Sequence, residues 1–426
     1  MLDIRYIKEN KDLVKSNLKK RFQTDKIGLV DNLIKKHQEW VQAKKELDQT
    51  RALRNKLSQE INQLKKQKKD ASKQLDLAKN IPSLISNLES LSSLLWEEIE
   101  SMKKNIPNII HKSAPIGKDA TQNKVLHKKG IIPKFSFPIK NHVELAESLN
   151  IADFDASAKV SGRGFYYLKN ELALLNQALL RFAIDFMQKK KYTYIEPPLM
   201  INKKVASAAG DLNAFELALY KIEGEELYLI PTAEHALLGM LSNEVIDEKK
   251  LPLKFFGYSM SFRKEIGSHG INEKGLWRTH QFNKVEQFIF CKPEDSYKYY
   301  LELRKNSEEI FKKLKLPYRI LESCSGDLSD WKSKGEDIEV YRPTTKKYEE
   351  IGSLSNCTDY QARELNIRVL RKNGEKQIVH TLNNTALATS RAMVAIVENY
   401  QQRDGSIKIP AVLQKYTGFN KIEKKK

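Results

Sequence analysis

The sequence predicts an α+β protein: an N-terminal antiparallel helical coiled-coil hairpin, then a domain with an antiparallel sheet flanked by helices. Three observations carry that prediction. Apolar residues recur at alternating 3/4 spacing through two long stretches ahead of residue 107. Strand-like segments such as YTYIEPPLM and GLWRTHQFNKVEQFIF alternate with helical patterns from about residue 165 onward. A stretch rich in Pro, Gly and Lys, 106–138, separates the two regimes and reads as a linker. The expected boundaries are 1–110 for the hairpin, 111–160 for the linker and lead-in, and 161–426 for the sheet domain.

The first arm of the hairpin spans about 31–68, with no internal Gly or Pro. Trp40, Ala43, Leu47, Thr50, Leu57, Ile61 and Leu64 form its seam, with Arg54 at one seam position. The second arm is expected to use Leu77, Ile81, Leu84, Leu88, Leu91, Leu95, Met102 and Ile106. Between them lies the basic segment KKQKKDASK, 65–73, where the chain reverses and Asp70 can cap the returning helix. Pro82 either kinks that arm or marks its first turn, with Asn80 as cap. Arms of ~50–60 Å are too thin to enclose a substrate. They suit either dimerisation or reaching a polyanion, and a tight turn that lets the arms satisfy each other favours the second.

Charge points the same way. The chain carries 74 Lys+Arg against 54 Asp+Glu, a net +20 over 426 residues. Residues 1–130 hold 28 basic and 16 acidic residues, a net +12, so under a third of the chain holds over half the excess. A concentrated positive excess favours a nucleic-acid partner through counterion release, although a Lys-rich codon bias gives the same composition. No apolar run approaches the ~20 residues of a membrane span, which excludes an integral helical membrane protein. The N-terminus has no apolar signal region, so the cytoplasm is expected. Cys291, Cys324 and Cys357 form no CxxC and read as packing thiols, not as a zinc or disulfide framework. Neither GxGxxG nor GxxxxGK[ST] is present, so any nucleotide is held by another device.

In the sheet domain, Tyr167–Lys191 reads as a helix with Leu172, Leu175, Ala178, Leu179, Phe182, Ala183 and Phe186 on one face. Period 2 in 275–290 places Arg278, His280, Phe282, Lys284, Glu286 and Phe288 on one strand face. Arg263 with Glu265, and Thr232 with Glu234, are expected to share faces of two earlier strands. Such faces are either solvated or form the floor of a polar substrate site.

FRKE (262–265), a loop with Gly267, Gly270 and Gly275, and WRTHQFNKVEQ (277–287) resemble motif 2 of the class II aminoacyl-tRNA synthetases. Pro198 fits motif 1, and LNNTALATSRAMVAIVENYQ (382–401) fits motif 3. PTAEH (231–235), GDLSDWK (326–332), SNCTDYQAR (355–363) and the hairpin narrow the resemblance to the seryl-tRNA synthetases, over essentially the whole chain. It implies a class II catalytic domain that activates L-serine with ATP and charges tRNA(Ser). It also implies a homodimer, a Mg²⁺ ion on the phosphates, and an arm that reads the tRNA; selenocysteine tRNA is an open second substrate.

By this resemblance the catalytic residues are Arg263, Glu265 and Arg391. Serine is bound by Thr232, Glu234, Arg263, Glu286, Asn383 and Thr385. ATP is bound by Arg263, Lys264, Glu265, Thr279, Phe282, Glu350, Ile351, Gly352, Ser353 and Arg391, and Mg²⁺ by Glu350 and Ser353. Arg263 would take the α-phosphate and serine carboxylate, Arg391 the γ-phosphate, and Phe282 the adenine face. Two departures from the family pattern stand out. Motif 3 carries Asn384, Thr385, Ala386 and Ser390, as in the archaeal and eukaryotic branch, with Thr385 where Ser is frequent. EIGSLSN places Gly352 where serine is usual. A relative that loads an amino acid onto a carrier protein would lack the arm, and an inactive RNA-binding relative would not need Arg263, Glu265, Glu286, Glu350 and Arg391. His269 and His280 flank the motif 2 loop and read as structural.

Overall fold

The computed structural model describes residues 1–210, 218–265 and 274–424. They fall into two compact units, Leu2–Pro107 and Asn108–Lys426, with Met1 grouped in the second. Gly267, His269 and Gly270 of the expected motif 2 loop lie outside the described residues.

The first unit is helical, with α1 (Ile4–Glu9), α2 (Lys11–Lys20), α3 (Ile27–Lys66), α4 (Ser72–Lys79) and α5 (Ile81–Lys104). On α3, Ala43, Leu47 and Leu57 are buried, while Arg54 stays exposed at its seam position. Leu47 and Leu57 cluster with Ile81, Ile85 and Leu88 of α5. The Trp40 and Trp96 rings lie 4.7 Å apart, and Lys36–Glu98 (2.9 Å) and Arg51–Glu89 (2.7 Å) bridge the arms, fixing an antiparallel pair. At the tip the Asp70 carboxylate accepts the Ser72 N–H at 3.0 Å.

The returning arm departs from expectation. It is two helices broken at Asn80, with Pro82 in the first turn of α5, where its missing N–H is no loss. Asn80 makes no side-chain cap bond there. The buried stripe is Ile81, Ile85, Leu88, Leu95 and Ile99, whereas Leu84 and Leu91 remain 48% and 44% exposed. Both rows share Ile81, Leu88 and Leu95 and differ by one residue, or about 100° around the helix. Half-buried Ser92 interrupts the buried row, so counting leucines selects its neighbour.

The second unit is built on eight strands: β1 (Lys124–Lys129), β2 (Thr193–Ile195), β3 (Leu253–Phe262), β4 (Gln281–Cys291), β5 (Tyr318–Glu322), β6 (Lys334–Arg342), β7 (Lys347–Thr358) and β8 (His380–Ala388). Their order is β1-β5-β6-β7-β8-β4-β3-β2. Neighbours run antiparallel except β2 with β3. β1 corrects the linker reading, because KVLHKK pairs with β5. Its lysines suit an edge, where charge discourages further pairing, and they hide the strand in a basic stretch.

Helices α6 (Asn170–Lys189), α7 (Ala233–Gly239), α8 (Ser296–Lys313) and α9 (Thr389–Asn399) complete the scaffold. All seven apolar residues predicted on the α6 face are buried. β4 shows how the two sides of the sheet differ. Val285, Ile289 and Cys291 join the main core with α6, α8 and α9, while Phe288 and Phe290 join a second core with Ala233 and Leu237 of α7. Each such burial is worth roughly 1.5–3 kcal/mol, so the register of β4 is fixed from both faces. The residues left over on the second face, Phe282, Lys284 and Glu286, open into a cleft.

Candidate active site

That cleft encloses about 350 Å³. Its walls carry Thr232, Glu234, Arg263, Glu265, Thr279, Phe282, Glu286, Glu350, Ile351, Gly352, Ser353, Asn383, Thr385 and Arg391. Of the residues expected at the site, only Lys264 is not on the wall. Its ammonium lies 5.8 Å from the Tyr220 ring, and its N–H donates to the Ala218 carbonyl at 2.8 Å.

The local structures behind these positions differ from expectation in three places. Thr232 and Glu234 are not on a strand: that strand is Leu227–Leu229, and Thr232 caps α7, receiving the Glu234 N–H at 3.4 Å. The strand ends at Leu229, and Thr232, a residue type favoured at N-caps, starts the helix three residues later. Arg263 and Glu265 lie beyond the end of β3, and Glu265 has φ +49, an uncommon conformation for a non-glycine residue. Arg278 and His280 precede β4 rather than belong to it.

At one end of the cleft is a dense polar cluster. Lys284 Nζ lies 2.5 Å from Glu286 Oε2 and donates to Thr232 Oγ1 at 3.1 Å; the Thr232 hydroxyl is 3.3 Å from the same carboxylate. Glu234 Oε1 accepts from Gln361 Nε2 and Asn383 Nδ2, both at 2.9 Å. Desolvation first, and then the neighbouring Glu286, push the Glu234 carboxyl up to about 7. Strand register assembles this cluster, since Glu286 pairs with Thr385 and Phe288 with Asn383 across β4 and β8. Gly352 of β7 lies against the same wall, where an added Cβ would meet the Thr385 Cβ at 3.1 Å.

The other end gathers cations around an aromatic ring. Arg263 stands 5.2 Å from the Phe282 ring centre, and its Nε donates to the Pro231 carbonyl at 3.2 Å. Burial lowers the pKa of this guanidinium, and the carboxylate of Glu265 opposes that shift. His280 Nδ1 sits 2.8 Å from the Arg263 carbonyl, which pins the backbone there. Arg391, on the first turn of α9, donates from Nη1 to the Glu350 carbonyl at 2.8 Å and lies 3.4 Å from its carboxylate. Burial acts most strongly to raise the Glu350 pKa, yet Arg391, Arg263 and Lys332 together hold it below the ordinary value. Ser353 accepts from Lys332 Nζ at 3.0 Å.

Trp277, Lys284, Trp331 and Lys332 line the cleft without having been assigned roles, and Gln361 acts just behind it. For Lys284 the signal was present, since it shares a strand face with Glu286. The others lie within the quoted motifs, but which side chains point inward depends on turns that periodicity does not resolve. The three cysteines are buried and free, and among the described residues no cluster of three or more His, Cys, Asp or Glu could hold a metal.

Comparison with known proteins agrees with this geometry. Residues 1–110 match the seryl-tRNA synthetase N-terminal domain, and residues 216–400 match the tRNA synthetase class II core domain (G, H, P, S and T). The serine–tRNA ligase of Methanospirillum hungatei is 47% identical over 421 residues, covering 98% of each chain. The crystal structure of seryl-tRNA synthetase from Pyrococcus horikoshii complexed with ATP superposes with a TM-score of 0.92 at 42% identity, covering both chains fully. The cytoplasmic serine–tRNA ligase from Naegleria fowleri in complex with AMP gives 0.87 at 30% identity, over 100% of this chain and 99% of that one. With both domains matched in order and full-length relatives well above 30% identity, the chain belongs to the seryl-tRNA synthetases.

Proposed function

We propose that this protein activates L-serine with ATP and transfers the seryl group to the 3′ end of tRNA(Ser). The observation that carries the reading is the division of one cleft into a cationic half, Arg263 and Arg391 beside Phe282, and a small polar half built on Thr232, Glu234 and Glu286. In the first step the serine carboxylate attacks the α-phosphorus; a new P–O bond forms and the bond to pyrophosphate breaks. Two anions must approach, so charge neutralisation and alignment are the main tasks. Arg263, in the cationic half, suits both the α-phosphate and the serine carboxylate, because its planar fork holds two oxygens at once. Arg391 takes the distal phosphates, Phe282 stacks on adenine, and Glu265 with the backbone at Thr279 reads the base edge.

In the polar half, Glu286 and Glu234 are acceptors for the serine ammonium and hydroxyl, with Thr232, Asn383 and Thr385 around them. A site that pairs the substrate hydroxyl rejects alanine by ~10⁴–10⁵, because its buried polar groups would be left unpaired. Glu350 and Ser353 offer a carboxylate and a hydroxyl, an oxygen-only donor pair of the kind that would hold Mg²⁺. Bound there, the ion would neutralise phosphate charge. In the second step a terminal ribose hydroxyl of the tRNA attacks the adenylate carbonyl and AMP leaves. The ATP and AMP complexes of two relatives support the nucleotide assignment. A homodimer, a cytoplasmic location and a tRNA-reading arm complete the reading; no described helix is long and apolar enough to cross a membrane.

Serine-dependent ATP–pyrophosphate exchange, followed by tRNA charging, tests the proposal. Absence of serine-dependent exchange would overturn it. Exchange without charging of any tRNA would point instead to a carrier-protein acceptor.

A further inference from the structure

Arg391 is tied to the rest of the fold by a closed chain of contacts that runs through a tryptophan. On α9, Arg391 and Glu398 are seven residues apart, two turns along one helix face. Glu398 is fully buried and accepts both Arg342 Nε (3.1 Å) and Arg342 Nη2 (2.7 Å), as well as Thr344 Oγ1 (2.8 Å). The His142 ring nitrogen Nδ1 is 3.1 Å from the same carboxylate. The third Arg342 nitrogen, Nη1, donates to Glu349 at 3.0 Å. The Arg342 guanidinium, with each nitrogen committed, lies over the Trp277 ring, 4.5 Å from its centroid. Trp277 in turn carries the Arg391 guanidinium at 5.6 Å, and its carbonyl faces Arg391 Nε at 3.4 Å.

We infer that Trp277 is a positioning residue for Arg391: its ring, held by the Arg342–Glu398 pair, keeps the Arg391 guanidinium extended toward the distal phosphates of ATP. The inference rests on the phosphate-binding role proposed for Arg391 and assigns a purpose to a ring that lines the cleft beside it. The physical basis is twofold. A guanidinium over an indole face is attracted to the ring quadrupole, most strongly where water is partly excluded. Arginine also has many rotamers, and a rigid platform removes those that miss the ligand before it arrives. Arg342 is instead committed to Glu398 and Glu349, which bind each of its three nitrogens and balance its charge.

The test uses the full-length protein and two readouts, equilibrium binding of ATP and serine-dependent pyrophosphate exchange. The variants are Trp277→Leu, Trp277→Phe, Arg391→Ala and the double variant Trp277→Leu/Arg391→Ala. Trp277→Leu keeps apolar bulk and removes the π face; it should weaken ATP binding about tenfold and leave the KM for serine within about twofold. Trp277→Phe restores an aromatic face and should recover most of the loss. In the Arg391→Ala background, Trp277→Leu should add less than about twofold, since there is no guanidinium left to position. Equal effects of Leu and Phe, full additivity in the double variant, or an unchanged ATP affinity in Trp277→Leu would each overturn the inference. If Arg391→Ala weakens ATP binding and Trp277→Leu is silent, only the inference falls. If Arg391→Ala is itself silent, the phosphate role falls with it. Should Trp277→Leu not melt cooperatively, Trp277→Met supplies the non-aromatic comparison.

Discussion

Gly352 and Thr385 are each unusual for the family pattern, and the structure makes them one feature. A Cβ on residue 352 would stand 3.1 Å from Thr385 Cβ and 3.5 Å from its Cγ2, too close unless one side gives way. The bare glycine is the space that Thr385 occupies. Gly352→Ser should therefore overpack the serine end of the cleft by about 1–3 kcal/mol and lower kcat/KM for serine by roughly tenfold. Adding Thr385→Ser should return much of that loss, and a double-variant cycle on exchange rates checks the coupling. Glu234 makes a second residue-scale prediction. With its carboxyl held up to about 7, it is largely protonated at pH 6 and ionised at pH 8. Ionisation adds the charge that attracts the serine ammonium, so the KM for serine should fall by up to about tenfold over that range. Glu234→Gln should flatten the profile; a profile unchanged by the substitution would show that the Glu234 charge does not act on serine. Residue identities at the cleft were legible because the motifs name them. The pairing of two separate departures was not, since residues 33 apart in sequence face each other only through the registers of β7 and β8.

At the scale of elements, helices with a continuous apolar face were legible and the ends of strands were not. The α6 face was read correctly because seven apolar residues leave one rotation possible. Thr232, Arg263 and Arg278 were placed on strands because period 2 continues past the point where the backbone stops pairing. A cap, a positive φ and a turn decide those ends, and none has a periodicity. β1 was hidden for a different reason, its charge, and the second arm because two apolar rows run side by side. What anchors α9 has no periodic signal either: Glu398 is a lone carboxylate in VENYQ, and it is fully buried against Arg342. Burial, the largest single influence, would raise its pKa, yet hydrogen bonds from His142, Arg342 and Thr344 hold it at about 2. A depressed carboxyl stabilises the fold above its ordinary pKa of about 4.5 and loses that contribution as pH falls toward 2. Glu398→Gln should cost about 3 kcal/mol at pH 7, because it removes the charge of the carboxylate that takes two of the nitrogens of the buried Arg342 guanidinium and leaves it Glu349 as counter-charge. Urea unfolding at pH 7, 4 and 3 should show the gap to the parent protein narrowing as pH falls; a constant gap would mean that packing, and not charge, is lost.

For the whole molecule, the net +20 resolves into parts with different work. The groups proposed for adenylation all come from residues 232–391, whereas Lys65, Lys66, Lys68, Lys69 and Lys73 crowd the hairpin reversal, and all five are exposed. The hairpin is closed on itself by its own seam and by Arg51–Glu89, and the lysines at its tip have no part in that seam. A polyanion is the partner such a tip suits. Removing 44–94 and joining Ala43 to Leu95 through a short Gly/Ser linker keeps the Trp40–Trp96 stack at the base of the arm. Helices packed side by side are ~8–10 Å apart, which four linker residues span. This variant should perform serine-dependent exchange at near the parent rate, because every proposed serine and ATP contact is retained. Its tRNA charging should fall by at least about tenfold, with the loss in KM for tRNA. Replacing the five tip lysines by alanine separates charge from shape: each phosphate contact removed should flatten the log–log salt dependence of tRNA binding by ~0.7–0.9. If the shortened protein charges tRNA as well as the parent, the arm does not read the tRNA, and the basic excess of the first 130 residues is only compositional.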